Sequence, residues 1–419
     1  MTGQRDGETV VRSFEERLDR LADVAVRIGL GLTPGQELIV TAPLESLPLA
    51  RAITRRAYQA GASLVTTFYG DDAATIARFA HAPNEAFDTA PGWLFEGMAQ
   101  AFRNGAARLA ITGDDPALLS GQDGERVARA NRARSKAYLP ALELIASFAT
   151  NWTIVAAATP AWARAVFPDL PEAEAVARLW DAIFAASRVD EPDPVAAWAA
   201  HNAALYARTE LLNGRRFHAL HFRGPGTDLR VGLADGHDWI GGASPAKNGI
   251  ICNPNIPSEE VFTTPHVLRV DGTVRATKPL SYQGTLIQDI AVRFEGGRIV
   301  DATARTGEEV LRRVLDTDEG ARRLGEVALV PHSSPIAASG LLFFNTLFDE
   351  NAASHIALGQ AYKTCIAGGD TMSDAELDAR GSNRSLIHID WMVGSGEVDV
   401  DGLDAAGTAV PVMRRGEWV

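Results

Sequence analysis

Cysteine is nearly absent from this chain of 419 residues, which contains only Cys252 and Cys365. Two thiols exclude both a disulfide framework and a cluster of thiolate ligands. Long apolar runs are missing as well, because no window approaches the roughly 20 apolar residues needed to span a bilayer. The polar start, MTGQRDGETVVRSFEERLDR, lacks the apolar core of a signal peptide. We therefore expect a cytoplasmic protein that does not contact membranes.

An excess of positive charge is also missing, since 53 acidic residues outnumber 40 lysines and arginines, and the net charge of −13 gives no electrostatic reason to bind nucleic acid or anionic lipid. Phosphate-binding loops and dinucleotide fingerprints are absent, so nothing supports nucleotide chemistry. What remains is ordinary for a soluble globular enzyme, with 46% hydrophobic and 22% charged residues. The length allows two domains or one large domain, and either can bury a substantial core.

The first half of the chain predicts an α/β domain. Residues 14–32 carry apolar side chains at helical spacing, and Thr33, Pro34 and Gly35 then break the helix. The strand-like ELIVTAP, the helix-like LPLARAITRRAYQAGA and the strand-like SLVTTFYG follow, so residues 37–69 form a βαβ unit. A further helix and strand repeat the pattern, and TIVAAATP at 153–160 adds another strand. Such units predict a mostly parallel sheet with helices on both faces.

From Arg215 onward the pattern changes to alternating strands typical of antiparallel sheets: RRFHALHFRG, TDLRVGLAD, HVLRVDGTVRAT and IQDIAVRFEGGRIVDATA. Turns are predicted at Asp271-Gly272 and Gly296-Gly297. We place a domain boundary near Asn213-Gly214, giving an α/β domain over 1–213 and an α+β domain rich in antiparallel strands over 214–419. The second domain holds the candidate chemistry.

Acids and histidines able to bind metal lie among apolar residues in this second domain. Lone ionised carboxylates and imidazoles are costly to bury, so each other or a cation usually neutralises them. Four carboxylates and two imidazoles, without thiolates, suit a pair of divalent cations better than a closed structural zinc. The segments are NPNIPSEEVFTTPH with Glu259 and Glu260, LGEVALV with Glu326, LFDENAASHIALG with Glu350 and His355, and SLIHIDWMVGS with His388 and Asp390.

The pattern within these segments is most informative at His388 and Asp390. In a strand, residues i and i+2 point to the same face, so HID presents an imidazole and a carboxylate side by side. Glu350 and His355 are separated by small residues, which indicates a helix start or a tight turn that lets both side chains approach one point. A single such histidine is more often a satisfied core residue or a surface residue than a ligand.

The other candidates also have structural alternatives. Ser258, Glu259 and Glu260 could cap a helix. Glu326 could lie at a solvated strand edge, and Tyr362 could pack with its hydroxyl hydrogen-bonded. The remaining histidines are predicted to be structural or to lie on the surface: His81, His201, His218, His221, His237, His266 and His332.

The ordered set NIPSEEVFTTP, GEVALV, LFDENAASHIALGQAY and SLIHIDWMVGS resembles the aminopeptidase T / aminopeptidase S family of metal-dependent leucyl-type aminopeptidases. The resemblance covers most of the chain and is most specific in residues 250–396. Ser258 stands where the family pattern has threonine, which keeps a hydroxyl. The resemblance implies an α/β N-terminal domain, a C-terminal catalytic domain with two metal ions, a catalytic tyrosine at Tyr362, and ligands at Glu260, Glu326, Glu350, His355, His388 and Asp390.

The implied activity is removal of N-terminal residues from short peptides, by a water that the two metals activate. Tyr362 would donate to the developing oxyanion. Glu259 is a candidate base only if the backbone there is not extended, since a strand would turn it away from Glu260. Zinc, cobalt and manganese are all compatible. The resemblance also implies a homodimer with enclosed active sites, which would restrict substrates to short peptides.

Two other classes of function stay open at this point. One is a mononuclear iron ring-cleaving dioxygenase, like the dihydroxypyridine dioxygenases of the same fold, with Glu260, His388 and Asp390 as ligands. The presence of Glu326, Glu350 and His355 favours a second metal and so the peptidase. The other is an inactive binding or structural protein, against which the complete ligand set argues.

Overall fold

The computed structural model describes residues 12–282 and 285–419. The first 11 residues, more than half of the polar start quoted above, lie outside the described residues. Within the described part of the chain, no helix is long and apolar enough to cross a membrane.

A parallel sheet forms the centre of the N-terminal half, as the βαβ pattern predicts. Its strands lie in the order β2-β1-β3-β4, and every neighbouring pair is parallel. The short apolar runs of the sequence form the strands of this sheet, because a parallel strand with helices on both faces needs apolar side chains on both faces. The strands are β1 (Glu37–Pro43), β2 (Leu64–Gly70), β3 (Ala107–Thr112) and β4 (Trp152–Ala156).

Helices cover both faces of this sheet. One core joins the first two helices and the seventh to the sheet, and a second core joins the fourth and fifth to the opposite face. Side chains at Ser13, Asp71, Asp123, Thr159 and Asp193 accept hydrogen bonds from the first turns of five of these helices and fix where they begin. The helices are α1 (Phe14–Val24), α2 (Leu47–Gln59), α3 (Asp72–His81), α4 (Gly92–Arg103), α5 (Gly124–Ala146), α6 (Pro160–Val166), α7 (Glu172–Ala186) and α8 (Pro194–Arg215).

The C-terminal half contains antiparallel sheets, which confirms the predicted fold class. A large sheet has the order β14-β13-β10-β6-β5-β18-β19-β20 and a smaller one β17-β16-β15-β9. The strands of the C-terminal half are β5 (Ala219–Gly224), β6 (Thr227–Leu233), β7 (Ser244–Pro245), β8 (Ile251–Cys252), β9 (Val261–Thr263), β10 (Pro265–Arg275), β11 (Leu280–Tyr282), β12 (Thr285–Ile287), β13 (Ala291–Glu295), β14 (Arg298–Thr303), β15 (Leu324–Leu329), β16 (His355–Gly359), β17 (His388–Met392), β18 (Asp399–Leu403), β19 (Ala409–Arg414) and β20 (Glu417–Trp418). The helices are α9 (Glu308–Leu315), α10 (Pro335–Ser339), α11 (Thr346–Asp349) and α12 (Asp374–Ala379).

One of the two predicted turns is wrong. Gly296-Gly297 does connect β13 to β14, but Asp271-Gly272 lies inside the continuous strand β10. Gly272 has a φ of 119°, and a Cβ there would lie 2.1 Å from the carbonyl oxygen of Asp228 on β6. Glycine is therefore needed for a close approach between strands rather than for a reversal of the chain.

The two halves of the chain share a core. Helix α8 continues through Asn213 and Gly214 to Arg215 before β5 begins. The N-terminal core also takes in Ile256 and Phe348 from the second half. The division into 1–213 and 214–419 stays a prediction.

Candidate metal centre

Three neighbouring strands of the smaller sheet place polar side chains on one face. Glu326 of β15 and Asp390 of β17 are both paired with Ala357 of the intervening strand β16. His388 is paired with Gly359, two residues further along β16 and therefore on the same face. Because Ala357 and Gly359 are small, the longer side chains on either side can meet above them. The predicted side-by-side arrangement in HID is confirmed.

His355 begins β16, two residues before Ala357, and so shares that face. Its Nε2 lies 3.2 Å from Glu260 Oε2 and 3.4 Å from Glu326 Oε1. Glu260 comes directly before β9, the next strand of the sheet, while Glu350 begins a short 3₁₀ turn at the end of α11. Glu260 and Glu350 both line the cavity above the sheet.

A second set of contacts surrounds His388, whose Nε2 lies 3.6 Å from Glu326 Oε2 and 3.4 Å from Asp390 Oδ1. In each of two groups, one ligand atom per residue lies within 4.8 Å of the others: Glu260, Glu326 and His355, and Glu326, His388 and Asp390. Glu326 belongs to both groups and uses a different oxygen in each. The two candidate ligand groups therefore adjoin and have one carboxylate in common.

Both imidazoles are oriented by the backbone. His355 Nδ1 lies 3.2 Å from the carbonyl oxygen of Ala353, and His388 Nδ1 lies 2.7 Å from that of Gln360. A carbonyl oxygen only accepts, so Nδ1 carries the proton and donates it. Nε2 of each ring thereby faces the carboxylates, and the neutral ring would offer its Nε2 lone pair to a metal ion.

The carboxylates of the cluster lack a permanent cation partner. Within the described ranges, no lysine or arginine nitrogen lies within 4 Å of Glu260, Glu326, Glu350 or Asp390. Burial raises the pKa of Glu326 to about 7, since the ionised form is poorly solvated and lies near other carboxylates. Burial, followed by repulsion from Glu260 and Asp390, raises the pKa of Glu350 well above its ordinary value.

The pKa values of the two histidines are also raised, but here the neighbouring carboxylates act against burial. Burial alone would lower the pKa of His388, but Asp390, Glu326 and the hydrogen bond to the Gln360 carbonyl together outweigh it and raise that pKa to about 9. Burial alone would also lower the pKa of His355, but the nearby carboxylates of Glu260 and Glu326 together outweigh it and raise that pKa well above its ordinary value. The cluster attracts positive charge, which protons supply in part and divalent cations would supply more fully.

A separate observation supports the binding of a divalent metal by these side chains. Glu260 Oε2 is buried and makes no well-aligned hydrogen bond, although His355 Nε2 lies 3.2 Å away. An orphaned buried carboxylate oxygen costs free energy that a coordinated cation would offset. Carboxylate oxygens with imidazole nitrogens, and no sulfur, are typical ligands for zinc, cobalt or manganese.

Tyr362 lies at the edge of this cluster, where its hydroxyl is 3.4 Å from His388 Nε2. Its ring also contacts Phe262, with centroids 6.0 Å apart. The side chain is 44% exposed and lines the cavity, so its hydroxyl is accessible to a bound molecule. Although the residue is partly exposed, the protein around its ring removes water from the phenol; this desolvation, followed by the neighbouring carboxylates, raises the pKa of Tyr362 well above its ordinary value. The phenol therefore keeps its proton at neutral pH and is available as a donor.

Glu259 points away from the cluster. Arg188 binds both of its oxygens, with Nη1–Oε1 and Nη2–Oε2 distances of 2.6 and 2.9 Å. Arg188 Nη2 also donates to His201 Nδ1 at 3.0 Å, and His201 Nε2 donates to the Ser258 carbonyl oxygen at 2.8 Å. Asn351 accepts from the Glu259 backbone N–H at 2.6 Å. The side chains of the adjacent glutamates therefore diverge, with Glu259 directed to Arg188 and Glu260 to the cluster.

Arg188 and His201 were not among the predicted site residues. They belong to the N-terminal half, and the Arg188–Glu259 contact spans 71 residues. No local motif marks such a pair, because neither residue has a distinctive neighbour in the sequence.

The cavity above the cluster has a volume of about 280 Å³. Its apolar wall comes from the end of α5 and from β4 and β9, and neither lysine nor arginine is among its described lining residues. The wall residues include Leu142, Ile145, Phe148, Trp152, Ile240 and Phe262. A cavity with one apolar wall and an acidic, metal-binding floor can hold a small molecule with an apolar group and a positive charge.

Comparison with known proteins decides the family. Residues 14–418 match the family of thermophilic metalloproteases M29. Aminopeptidase T of Thermus thermophilus is 60% identical over 407 residues, which cover 97% of this chain and 99% of that protein. The chain belongs to the M29 family. A solved structure of wild-type AmpT from Thermus thermophilus matches with a TM-score of 0.93 at 59% identity, covering 97% of this chain and 100% of that one.

This membership confirms the prediction of a metallo-aminopeptidase. The dioxygenase alternative keeps only a likeness of fold. The structure of 2,5-dihydroxypyridine dioxygenase from Pseudomonas putida matches this M29 chain with a TM-score of 0.53 at 11% identity, covering 97% and 98% of the two chains. A structural match at such low sequence identity shows a similar fold, but it is not evidence for the same activity.

Proposed function

We propose that this metallo-aminopeptidase removes apolar N-terminal residues from short peptides with two divalent cations held by the six-residue cluster. The observation that carries the proposal is the position of Glu326, whose two oxygens belong to different ligand groups. A pair of cations would polarise the scissile carbonyl and lower the pKa of a shared water. The proposed ligands are Glu260, Glu326, Glu350, His355, His388 and Asp390.

The residues around the cluster define the substrate. Acidic side chains without a neighbouring lysine or arginine favour the protonated or coordinating α-amine of an unblocked peptide. The wall formed by Phe148, Trp152 and Phe262 favours an apolar N-terminal side chain. Tyr362, which keeps its proton, would donate to the oxygen that gains charge when the carbonyl is attacked.

The first test compares free and blocked amino ends. We expect two metal ions per chain by elemental analysis, and kcat/KM for Leu-Gly-Gly at least about 10- to 100-fold above that for its N-acetyl derivative, since acetylation removes a charge-assisted contact. Equal turnover of the two peptides would contradict exopeptidase action. One ion per chain would contradict the shared-carboxylate arrangement while leaving exopeptidase action standing.

The adjacent glutamates form a matched pair for a second prediction. We propose that Glu260 is a ligand and that Glu259, bound by Arg188, positions the segment before it. Glu259→Gln should lower the thermal midpoint, because it leaves Arg188 unpaired in a buried site, yet keep kcat within about tenfold of the parent. Glu260→Gln should reduce bound metal.

A general base contributes about 10²- to 10⁴-fold, so the same variants also test the earlier hypothesis for Glu259. Loss of kcat by at least 100-fold in Glu259→Gln, with metal content and KM unchanged, would assign the base to Glu259. Metal content separates this outcome from a structural collapse of the site.

The identity of the metal stays a prediction, with zinc, cobalt or manganese as the expected ions. The homodimer and the cytoplasmic location also stay predictions.

A further inference from the structure

Two of the proposed ligands, Glu260 and Glu350, reach the cluster from segments outside its central strands. The other four lie on β15, β16 and β17, where the hydrogen-bonded pairing of the strands fixes their spacing. Glu260 directly precedes β9, and Glu350 begins the 3₁₀ turn at residues 350–352. In the described part of the chain, no strand pairing joins these two segments. The spacing of the two acids therefore depends on other contacts.

The two carboxylates act on each other. After burial, Glu260 is the group that contributes most to the raised pKa of Glu350, because neighbouring carboxylates disfavour each other's ionised form. Both residues also line the cavity above the sheet. Since like charges repel, the fold must hold Glu260 and Glu350 together for the site to receive a cation.

A single side chain joins the two segments. Asn351 follows Glu350, and its Oδ1 accepts a hydrogen bond from the backbone N–H of Glu259 at 2.6 Å, one residue before Glu260. Within the described ranges, this is the one hydrogen bond between residues 258–260 and residues 349–352. Because each partner is adjacent to a proposed ligand, the bond limits how far the two carboxylates can separate.

The amide of Asn351 is fixed in orientation. Its Nδ2 donates to the carbonyl oxygen of Leu347 at 3.0 Å while Oδ1 accepts from Glu259, so a turn of the amide would break both bonds. Asn351 is fully buried, with an exposed fraction of 0%, and water cannot replace either partner. The side chain therefore forms a rigid connection between the two segments.

Both partners of this connection are held by the rest of the fold. Ser334 Oγ donates to the backbone carbonyl oxygen of Asn351 at 2.9 Å, and the same hydroxyl accepts from the backbone N–H of Ala337 in the first turn of α10. On the other side, the guanidinium of Arg188 binds both oxygens of Glu259. Asn351 thus joins a point fixed by α10 to a point fixed by the N-terminal half of the chain.

We propose that Asn351 is a positioning residue for the metal centre, which sets the separation of Glu260 and Glu350 and so determines how tightly a divalent cation binds there. This role rests on the proposed function, since both acids are ligands only under that proposal. The amide of Asn351 hydrogen-bonds only to backbone atoms, so the residue acts through the two glutamates and is not itself a ligand.

The effect should differ between the two ligand groups. Glu260 belongs to the group with Glu326 and His355, whereas His388 and Asp390 of the other group lie on β17 and are placed by its pairing with β16. A change at Asn351 should therefore weaken the binding of one ion and leave the other. A merely structural role would lower stability without separating the two ions.

Calorimetric titration of the metal-free, full-length protein with Zn²⁺ measures both dissociation constants. We expect Asn351→Ala to weaken one of them by about 10- to 100-fold, the range typical of residues that orient metal ligands, and to leave the other within about threefold. Asn351→Leu should have the same effect, because leucine has as many side-chain heavy atoms as asparagine but makes neither hydrogen bond.

Asn151→Ala is the matched control. Asn151 is also fully buried, and its amide is also bound at both ends, by the Leu30 carbonyl oxygen at 2.7 Å and by Gln36 Nε2 at 2.6 Å. It lies in the N-terminal half and is not adjacent to a proposed ligand. The control should lower the thermal midpoint and keep both zinc constants, whereas the Asn351 variants should change both the midpoint and one constant.

Ser334→Ala is a milder variant, which removes a support of Asn351 but keeps its amide. It should weaken the same zinc constant by about threefold or more, and it decides the test if neither Asn351 variant folds. Unchanged zinc constants in a folded Asn351 variant, or in Ser334→Ala where only that variant folds, would overturn the proposal. Equal weakening of both ions, or an equal loss in Asn151→Ala, would overturn it as well.

The parent protein tests the proposed function separately. Fewer than two zinc ions per parent chain would contradict the shared carboxylate of Glu326, whatever the variants do. Two ions in the parent, with the same constants in the Asn351 variants, would leave the proposed function standing and remove only the role of Asn351.

Discussion

Replacing Glu326 by glutamine should empty both metal positions and lower kcat/KM by at least about 1000-fold. The glutamine keeps the size of the side chain but removes the charge shared by the groups around His355 and His388. Loss of metal-assisted stabilisation worth roughly 4 kcal/mol corresponds to this factor. A strong chelator should have the same effect on the parent protein, and added zinc, cobalt or manganese should restore the parent but not the variant.

Elemental analysis and steady-state kinetics of the purified variant check this prediction, with circular dichroism as the measure of folding. Glu309→Gln, at an exposed position on α9, makes the same chemical change away from the cluster and should have no effect. His388→Ala is the informative comparison, because His388 belongs to one group only and its loss should remove one ion. Two ions per chain in Glu326→Gln, with kcat/KM within tenfold of the parent, would show that Glu326 is not shared.

The parts of the site that depend on local spacing could be predicted from the sequence. The alternation of a strand is enough to place His388 and Asp390 on one face, and the small residues after Glu350 indicate the 3₁₀ turn that precedes His355. The βαβ pattern likewise predicts the parallel sheet, because each strand, helix and turn there has its own local signal.

The assembly of these parts depends on strand register, which has no comparable local signal. Glu326 meets Asp390 because both pair with Ala357, and one residue of slip would turn Glu326 to the opposite face. The resemblance of motifs to a family could supply the set of ligands, but it could not supply the two groups or the shared carboxylate. Those follow only from three-dimensional pairing.

The local sequence does not determine the structure at two positions. Asp271-Gly272 has the composition of a hairpin turn, yet the close approach of β6 requires Gly272 in the middle of a strand. Glu259 has the composition of an active-site acid, yet Arg188 of the N-terminal half neutralises it. In both cases the contact that determines the structure comes from a residue distant in sequence. The local sequence is compatible with two structures, and only the complete fold distinguishes them.

Removing the hydroxyl of Tyr362 should separate a catalytic role from a packing role. Tyr362→Phe should lower kcat by on the order of 100-fold or more and leave KM similar, because a phenol aimed at the developing oxyanion acts mainly in the transition state. The phenylalanine keeps the ring contacts with Phe262 and His388. If Tyr362 only packed, the substitution would therefore be almost silent.

The position of the hydroxyl favours the catalytic role. It lies 3.4 Å from His388 Nε2, on the cavity side of the cluster, and the raised pKa of Tyr362 keeps its proton available for donation. Tyr206→Phe is the matched control, since Tyr206 is 63% exposed on α8 and does not line the cavity. Steady-state kinetics with metal content measured in parallel decides between the two roles. A kcat within about threefold of the parent at unchanged metal occupancy would make Tyr362 a packing residue, because the loss of one oxyanion donor cannot be that small.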